Sequence, residues 1–126
     1  MVAHYQIPLD LPHAGTIAGR IVRLLGQLGD DPQIEDLEEK AEELVRILWP
    51  YSASGVEPPR DEAVRVRDEV AVIARRLVDE IERMKLGNDR LGQCVRNFFE
   101  CLELGEEGAR ISLRAGEDPK SLQRPI

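Results

Sequence analysis

Residues 30 to 43 (DDPQIEDLEEKAEE) carry eight carboxylates and one lysine, and so hold the whole formal charge of −7 of the 126-residue chain. Carboxylates at that density can do two kinds of chemistry. They can ligate a hard cation through oxygen, or they can present a negative surface that draws and orients a basic partner. The apolar residues set among them decide how they are displayed. Ile34, Leu37, Ala41, Leu44 and Leu48 recur at 3-4-3-4 spacing, with Val45 beside them, which predicts a helix over 33–49 with one core-facing stripe. Glu35, Glu38, Glu39, Glu42 and Glu43 lie off that stripe, and acids in the first turns suit the positive end of the helix dipole. Asp36–Lys40 and Glu42–Arg46 are one turn apart and are expected to pair. The leading expectation is a non-enzymatic interaction protein, an adaptor, inhibitor or complex subunit, whose acidic face docks a basic protein. That reading needs no cofactor and no metal.

The cation reading is the alternative. Glu38-Glu39-Lys40-Ala41-Glu42 resembles the Glu-Glu-x-x-Glu half of the magnesium site in all-helical MazG-type nucleotide pyrophosphohydrolases. The resemblance covers five residues and implies magnesium-dependent hydrolysis of nucleotides, with carboxylates on facing helices sharing the ion. The family's second half, Glu-x-x-Asp on the following helix, is missing. The next helix offers Asp79-Glu80-Ile81-Glu82 instead.

Other reactive side chains are few. Cys94 and Cys101 are seven residues apart, so about 10 Å separates them along a helix, too far for a disulfide with each other. Buried thiols beside Phe98 are expected. His4 and His13 are the only histidines, which removes the Glu-x-x-His pairs of di-iron bundles and the common zinc motifs. Among basic residues arginine far outnumbers lysine, and guanidinium forks suit carboxylate and phosphate recognition. Arg20 and Arg23 could receive a small anion if a pocket lies beside them. Direct nucleic-acid binding is not expected, because affinity for a polyanion depends on uncompensated positive charge.

With 42% hydrophobic and 33% charged residues, the chain has the composition of a single folded domain. No apolar run approaches the ~18 residues of a membrane span. The opening residues have neither a basic start nor an apolar stretch, so no signal peptide is expected, and a cytoplasmic location follows as the expectation.

The elements that must position these groups read as an all-α four-helix bundle. Residues 1–13, with Pro8 and Pro12 and an alternation of Tyr5, Ile7, Leu9 and Leu11, read as an extended N-terminal arm; 14–115 form the bundle domain; 116–126 are a tail. Helix 1 is predicted over 14–29 on Ile17, Ile21, Leu24, Leu25 and Leu28. Its other side carries Gly15, Gly19, Val22 and Gly26 at 4-3-4 spacing. Each glycine costs about 1 kcal/mol in a helix relative to alanine, so something closely packed is expected there: a second helix, or the backbone of another copy in a homo-oligomer. Asp31 and Pro32 cap helix 2, and Pro50 is expected to stop it, leaving 50–60 as a linker. Helix 3 is predicted over 61–86, its outer face laced with one-turn charge pairs such as Arg75–Asp79. Helix 4 is predicted over 89–104, joined to helix 3 as an antiparallel hairpin by Gly87 and Asn88, with Gly87 supplying the left-handed turn. Residues 109–115 read either as a short fifth C-terminal helix or as an extended piece.

Overall fold

The computed structural model describes residues 8–113, which form five helices and no strand: α1 (Leu11–Gly26), α2 (Pro32–Ser54), α3 (Arg60–Met84), α4 (Asp89–Cys101) and α5 (Gly105–Ala109). The expected all-α fold is therefore present. The four long helices run antiparallel in succession. Gly15, near the start of α1, meets Ser52 at the end of α2, while Gly26 at its other end meets Glu38. Tyr51 donates to Glu62 at 2.9 Å, and Lys40 lies 3.2 Å from Glu80, which sets α2 against α3 in reverse. Arg67 of α3 donates to the Leu102 carbonyl just past α4 at 3.0 Å, closing the α3–α4 hairpin at its open end. On the other side of α1, the Cys94 thiol of α4 points at the Ile17 carbonyl, and the Asp10 amide donates to the Cys101 carbonyl at 2.8 Å. α1 thus lies between α2 and α4.

The apolar stripes of the four long helices meet in one core. Ile17, Ile21 and Leu25 of α1, Leu37, Leu44 and Leu48 of α2, Leu77 and Ile81 of α3, Leu91 and Phe98 of α4, and Leu102 just past it are all buried. Phe98 and Phe99 meet edge to face, with ring centroids 6.3 Å apart. Burial of a large apolar side chain contributes roughly 1.5–3 kcal/mol, more than the ~1 kcal/mol a helical glycine costs. Leu11, Ile17, Ile21 and Leu25 therefore hold α1 helical despite its glycines. Among the described residues no polar or charged side chain is counted in that core.

Several boundaries differ from expectation, the end of α1 at Gly26 instead of 29 among them. α1 begins at Leu11, three residues early, because Asp10 caps it through the His13 amide and Pro12 sits in the first turn. α2 runs straight through Pro50 to Ser54, so the linker shrinks to 55–59. A mid-helix proline removes an amide donor, and the loss is offset by tertiary contacts of the last turn. Ser52 packs against Gly15, Tyr51 bonds Glu62, and Gly55 (φ 70°) closes the end by donating to the Tyr51 carbonyl at 2.8 Å. At the end of α3 the left-handed residue is Lys85 (φ 56°), not Gly87; the Leu86 amide reaches back to the Ile81 carbonyl at 3.2 Å. Finally α4 ends at Cys101, and α5 starts at Gly105, ahead of residues 109–115. Residues 111–113 are not helical. Ile111 and Leu113 are buried, and the backbone of Leu113 passes beside Gly92, which has no side chain to obstruct it. Tyr5, Ile7, His4 and the tail from 114 onward lie outside the described residues.

Candidate functional site: an acidic ridge and an arginine groove

The outer face of α2 follows from its helical period. Glu35, Glu39, Glu42, Arg46 and Trp49 recur at 4-3-4-3 spacing, opposite the buried Leu37–Leu44–Leu48 stripe, and all five are exposed. Glu43 is exposed on the flank of this ridge, and Glu38 is half-buried on the other flank. The Glu38 carboxylate lies 3.4 Å from where a Cβ on Gly26 would stand, so that glycine gives it room. Among the described residues none of Glu35, Glu38, Glu39, Glu42 and Glu43 has an Arg or Lys partner within 4.0 Å. A shallow groove of about 510 Å³ runs along the ridge, lined by Asp36, Glu39, Lys40, Glu42, Glu43 and Arg46. The expected helical pair Glu42–Arg46 does not form, whereas Asp36–Lys40 does, at 2.6 Å.

Sequence reasoning missed Trp49, because Pro50 reads as the end of α2. With the helix continuing, the Trp49 indole ends the acidic ridge and is 62% exposed. The signal was available in its spacing from Glu42 and Arg46 and in its absence from the core stripe. An exposed tryptophan beside unpaired charges is the composition of an interface anchor.

Where carboxylates of α2 and α3 meet, they meet on a lysine. Lys40 stands between the helices, 2.6 Å from Asp36 and 3.2 Å from Glu80. The Asp36 hydrogen bond, aided by Glu80 and against desolvation, holds the Lys40 ammonium above the usual lysine range. Asp79 and Glu82 are exposed, and among the described residues no three acidic, histidine or cysteine side chains gather as a metal site. Lys40 supplies the positive charge that Asp36 and Glu80 share.

The glycine side of α1 is divided. Gly15 is buried against α2 of the same chain: a Cβ there would stand 2.7 Å from the Cβ of Ser52 and 3.3 Å from that of Leu48. The close approach of α2, not a second copy, is what its missing side chain serves. Gly19 has nothing within 4 Å of its Cβ position, and Val22 is half-buried.

On another flank, α1 and α4 together line a groove of about 790 Å³. Arg20 and Arg23 from α1 and Arg90 and Arg96 from α4 line it, with Leu24 and Cys94 among the residues between. Periodicity placed Arg20 and Arg23 off the core stripe, but nothing in the sequence pairs them with Arg90 and Arg96. Only the antiparallel packing of α1 on α4 does. Burial pushes the Cys94 thiol up, with the Arg20 charge opposing, and pushes the Cys101 thiol up to about 11. Both are thiols at neutral pH, not nucleophilic thiolates.

The expected one-turn pairs of α3 give way to ties with other elements. Arg75 forks onto Glu107 of α5 at 2.7 and 2.9 Å, and Arg60 reaches Glu103 at 2.6 Å. The Arg75 hydrogen bonds hold the Glu107 carboxyl below the usual carboxylate range. Glu57 in the linker accepts from the Leu11 amide at 2.8 Å and so helps start α1, yet desolvation still raises its pKa.

Among the described residues no helix is long and apolar enough to cross a membrane. No protein-family model, curated protein or solved structure matches the chain.

Proposed function

We propose that this chain is a non-enzymatic helical interaction protein that docks a basic protein partner along the outer face of α2. The observation that carries it is the ridge itself, where Glu35, Glu39 and Glu42, unpaired among the described residues, lead in register to a Trp49 that is 62% exposed. Concentrated negative charge raises the encounter rate with a basic surface and disfavours wrong partners. The indole supplies the apolar contact that charge alone lacks, and truncating such an anchor typically costs about 2 kcal/mol or more. The partner then combines lysines or arginines with a pocket for one aromatic ring. Free buried cysteines are at home in a reducing compartment, which supports a cytoplasmic setting. The magnesium-hydrolase alternative draws no support from α2 and α3, where Lys40 faces Glu80.

Capture from lysate at low salt tests the reading. The wild-type chain, a Glu35→Lys/Glu38→Lys/Glu39→Lys/Glu42→Lys variant and Trp49→Ala are compared on the same resin. A partner lost by both variants, and lost by wild type as salt rises, is the expected outcome. Equal capture by all three at every salt concentration would remove the docking face.

A further inference from the structure

The arginine groove is a second charged surface, independent of the α2 ridge. Four arginines, Arg20, Arg23, Arg90 and Arg96, line one open groove whose lining includes a single carboxylate, Asp89. Among the described residues none of the four lies within 4.0 Å of an acid. Like charges gathered around one groove repel one another, and an anion among them relieves that repulsion. The groove is also partly organised in advance. Arg96 donates to the Ile111 carbonyl at 2.9 Å and to the Gln93 side chain at 3.1 Å, so it is fixed in place as a positive charge at the edge of the groove, leaving the phosphate forks to Arg20, Arg23 and Arg90.

We infer that this groove binds a small molecule carrying at least two phosphate groups on an apolar or aromatic body, the class of nucleoside di- and triphosphates. Guanidinium forks match phosphate oxygens bidentately. Arg20 and Arg23 stand one turn apart on α1, and Arg90 and Arg96 are about 9 Å apart along α4, so one phosphate cannot satisfy all four. Leu24 and Cys94 offer apolar surface beside the charges, and about 790 Å³ is within the usual range for small-molecule sites. A long polyanion such as nucleic acid is disfavoured, because the chain's net charge of −7 lies largely on α2 and repels it at distance.

Thermal melting and calorimetry of the full chain test this at matched ionic strength, with ATP, inorganic pyrophosphate, adenosine and sulfate as probes. ATP is expected to raise the melting temperature most, pyrophosphate less, and adenosine and sulfate not at all. Arg23→Gln and Arg90→Gln, both at exposed positions, are each expected to weaken ATP binding by about ten- to a hundredfold. Glu39→Lys/Glu42→Lys on the ridge is expected to leave binding intact, which separates this site from the docking face. Sulfate matching ATP would overturn the proposal, as would ATP binding unchanged in both arginine variants. Pyrophosphate matching ATP would overturn the part played by the apolar body.

Discussion

α1 is bounded by two unlike seams. Against α2 it comes so close at Gly15 that no Cβ fits without displacing Ser52, and the meeting side chains are leucine and serine. Against α4 the same helix touches through Cys94 and Ile17, and arginines line the groove along that seam. The difference comes from side-chain size and charge. A residue without a Cβ at the crossing lets two backbones close on each other and excludes water. Along the other seam the outer edge is lined by charged side chains that can meet a ligand. One helix can therefore serve as part of a core and as the wall of a site.

The sharpest way to break the contrast is to cut into the tight seam. Leu48 is fully buried there, so Leu48→Ala is expected to cost about 2–5 kcal/mol in urea unfolding. Leu24→Ala, half-buried at the groove, is expected to cost clearly less, and equal losses would mean the two seams are energetically alike. Gly15→Ala comes next. Its new Cβ would stand 2.7 Å from Ser52, and overpacking of this kind typically costs about 1–3 kcal/mol. Gly19→Ala meets open space, so helix propensity alone acts and should stabilise by up to about 1 kcal/mol. Opposite signs for two glycines one turn apart would sharpen the comparison; a shared sign would dissolve it.

The smallest effect expected is on pH dependence, because neither seam buries a charge. Glu107, its pKa lowered chiefly by the Arg75 hydrogen bonds, contributes stability present above the ordinary carboxylate pKa and lost as pH falls through its lower folded value. Glu57, raised chiefly by desolvation, works the other way: stability present at acid pH is lost as pH rises through its folded value. Urea melts across the carboxylate range should show Glu107→Gln falling behind wild type only toward neutral pH. Glu57→Gln should gain on wild type over the same span. Both ties are at the surface, so both effects are modest.

Much of the fold could be read along the chain, and its limits are physical. Periodicity found all four long helices and the central stripe of each, because apolar side chains repeating every 3.6 residues share one face only when the backbone is helical; it passed over buried residues flanking those stripes, such as Ala18, Ala71, Val78 and Phe99. It misplaced the end of α2, since Pro50 is a local stop signal and the contacts of Ser52 and Tyr51 that override it are tertiary. The start of α1 was available in principle: Asp10 and Pro12 make the same kind of start signal as Asp31 and Pro32, but an alternating apolar arm masked it. The acidic ridge was legible as a run of charge. The arginine groove was not, because Arg20 and Arg90 are seventy residues apart and only packing brings them together.

The wholly apolar interior has one more consequence. Among the described residues no buried polar or charged side chain lies between α1 and α2 to tell one turn of a helix from the next. Alignment of α1 along α2 must therefore rest on shape, and the notch where Ser52 seats over Gly15 is its most specific shape. Leucine will accept many neighbours, but a notch accepts one. Widening or filling it should blunt the order of the interior well before the helices themselves melt, leaving a bundle that is still compact but no longer singular in its arrangement.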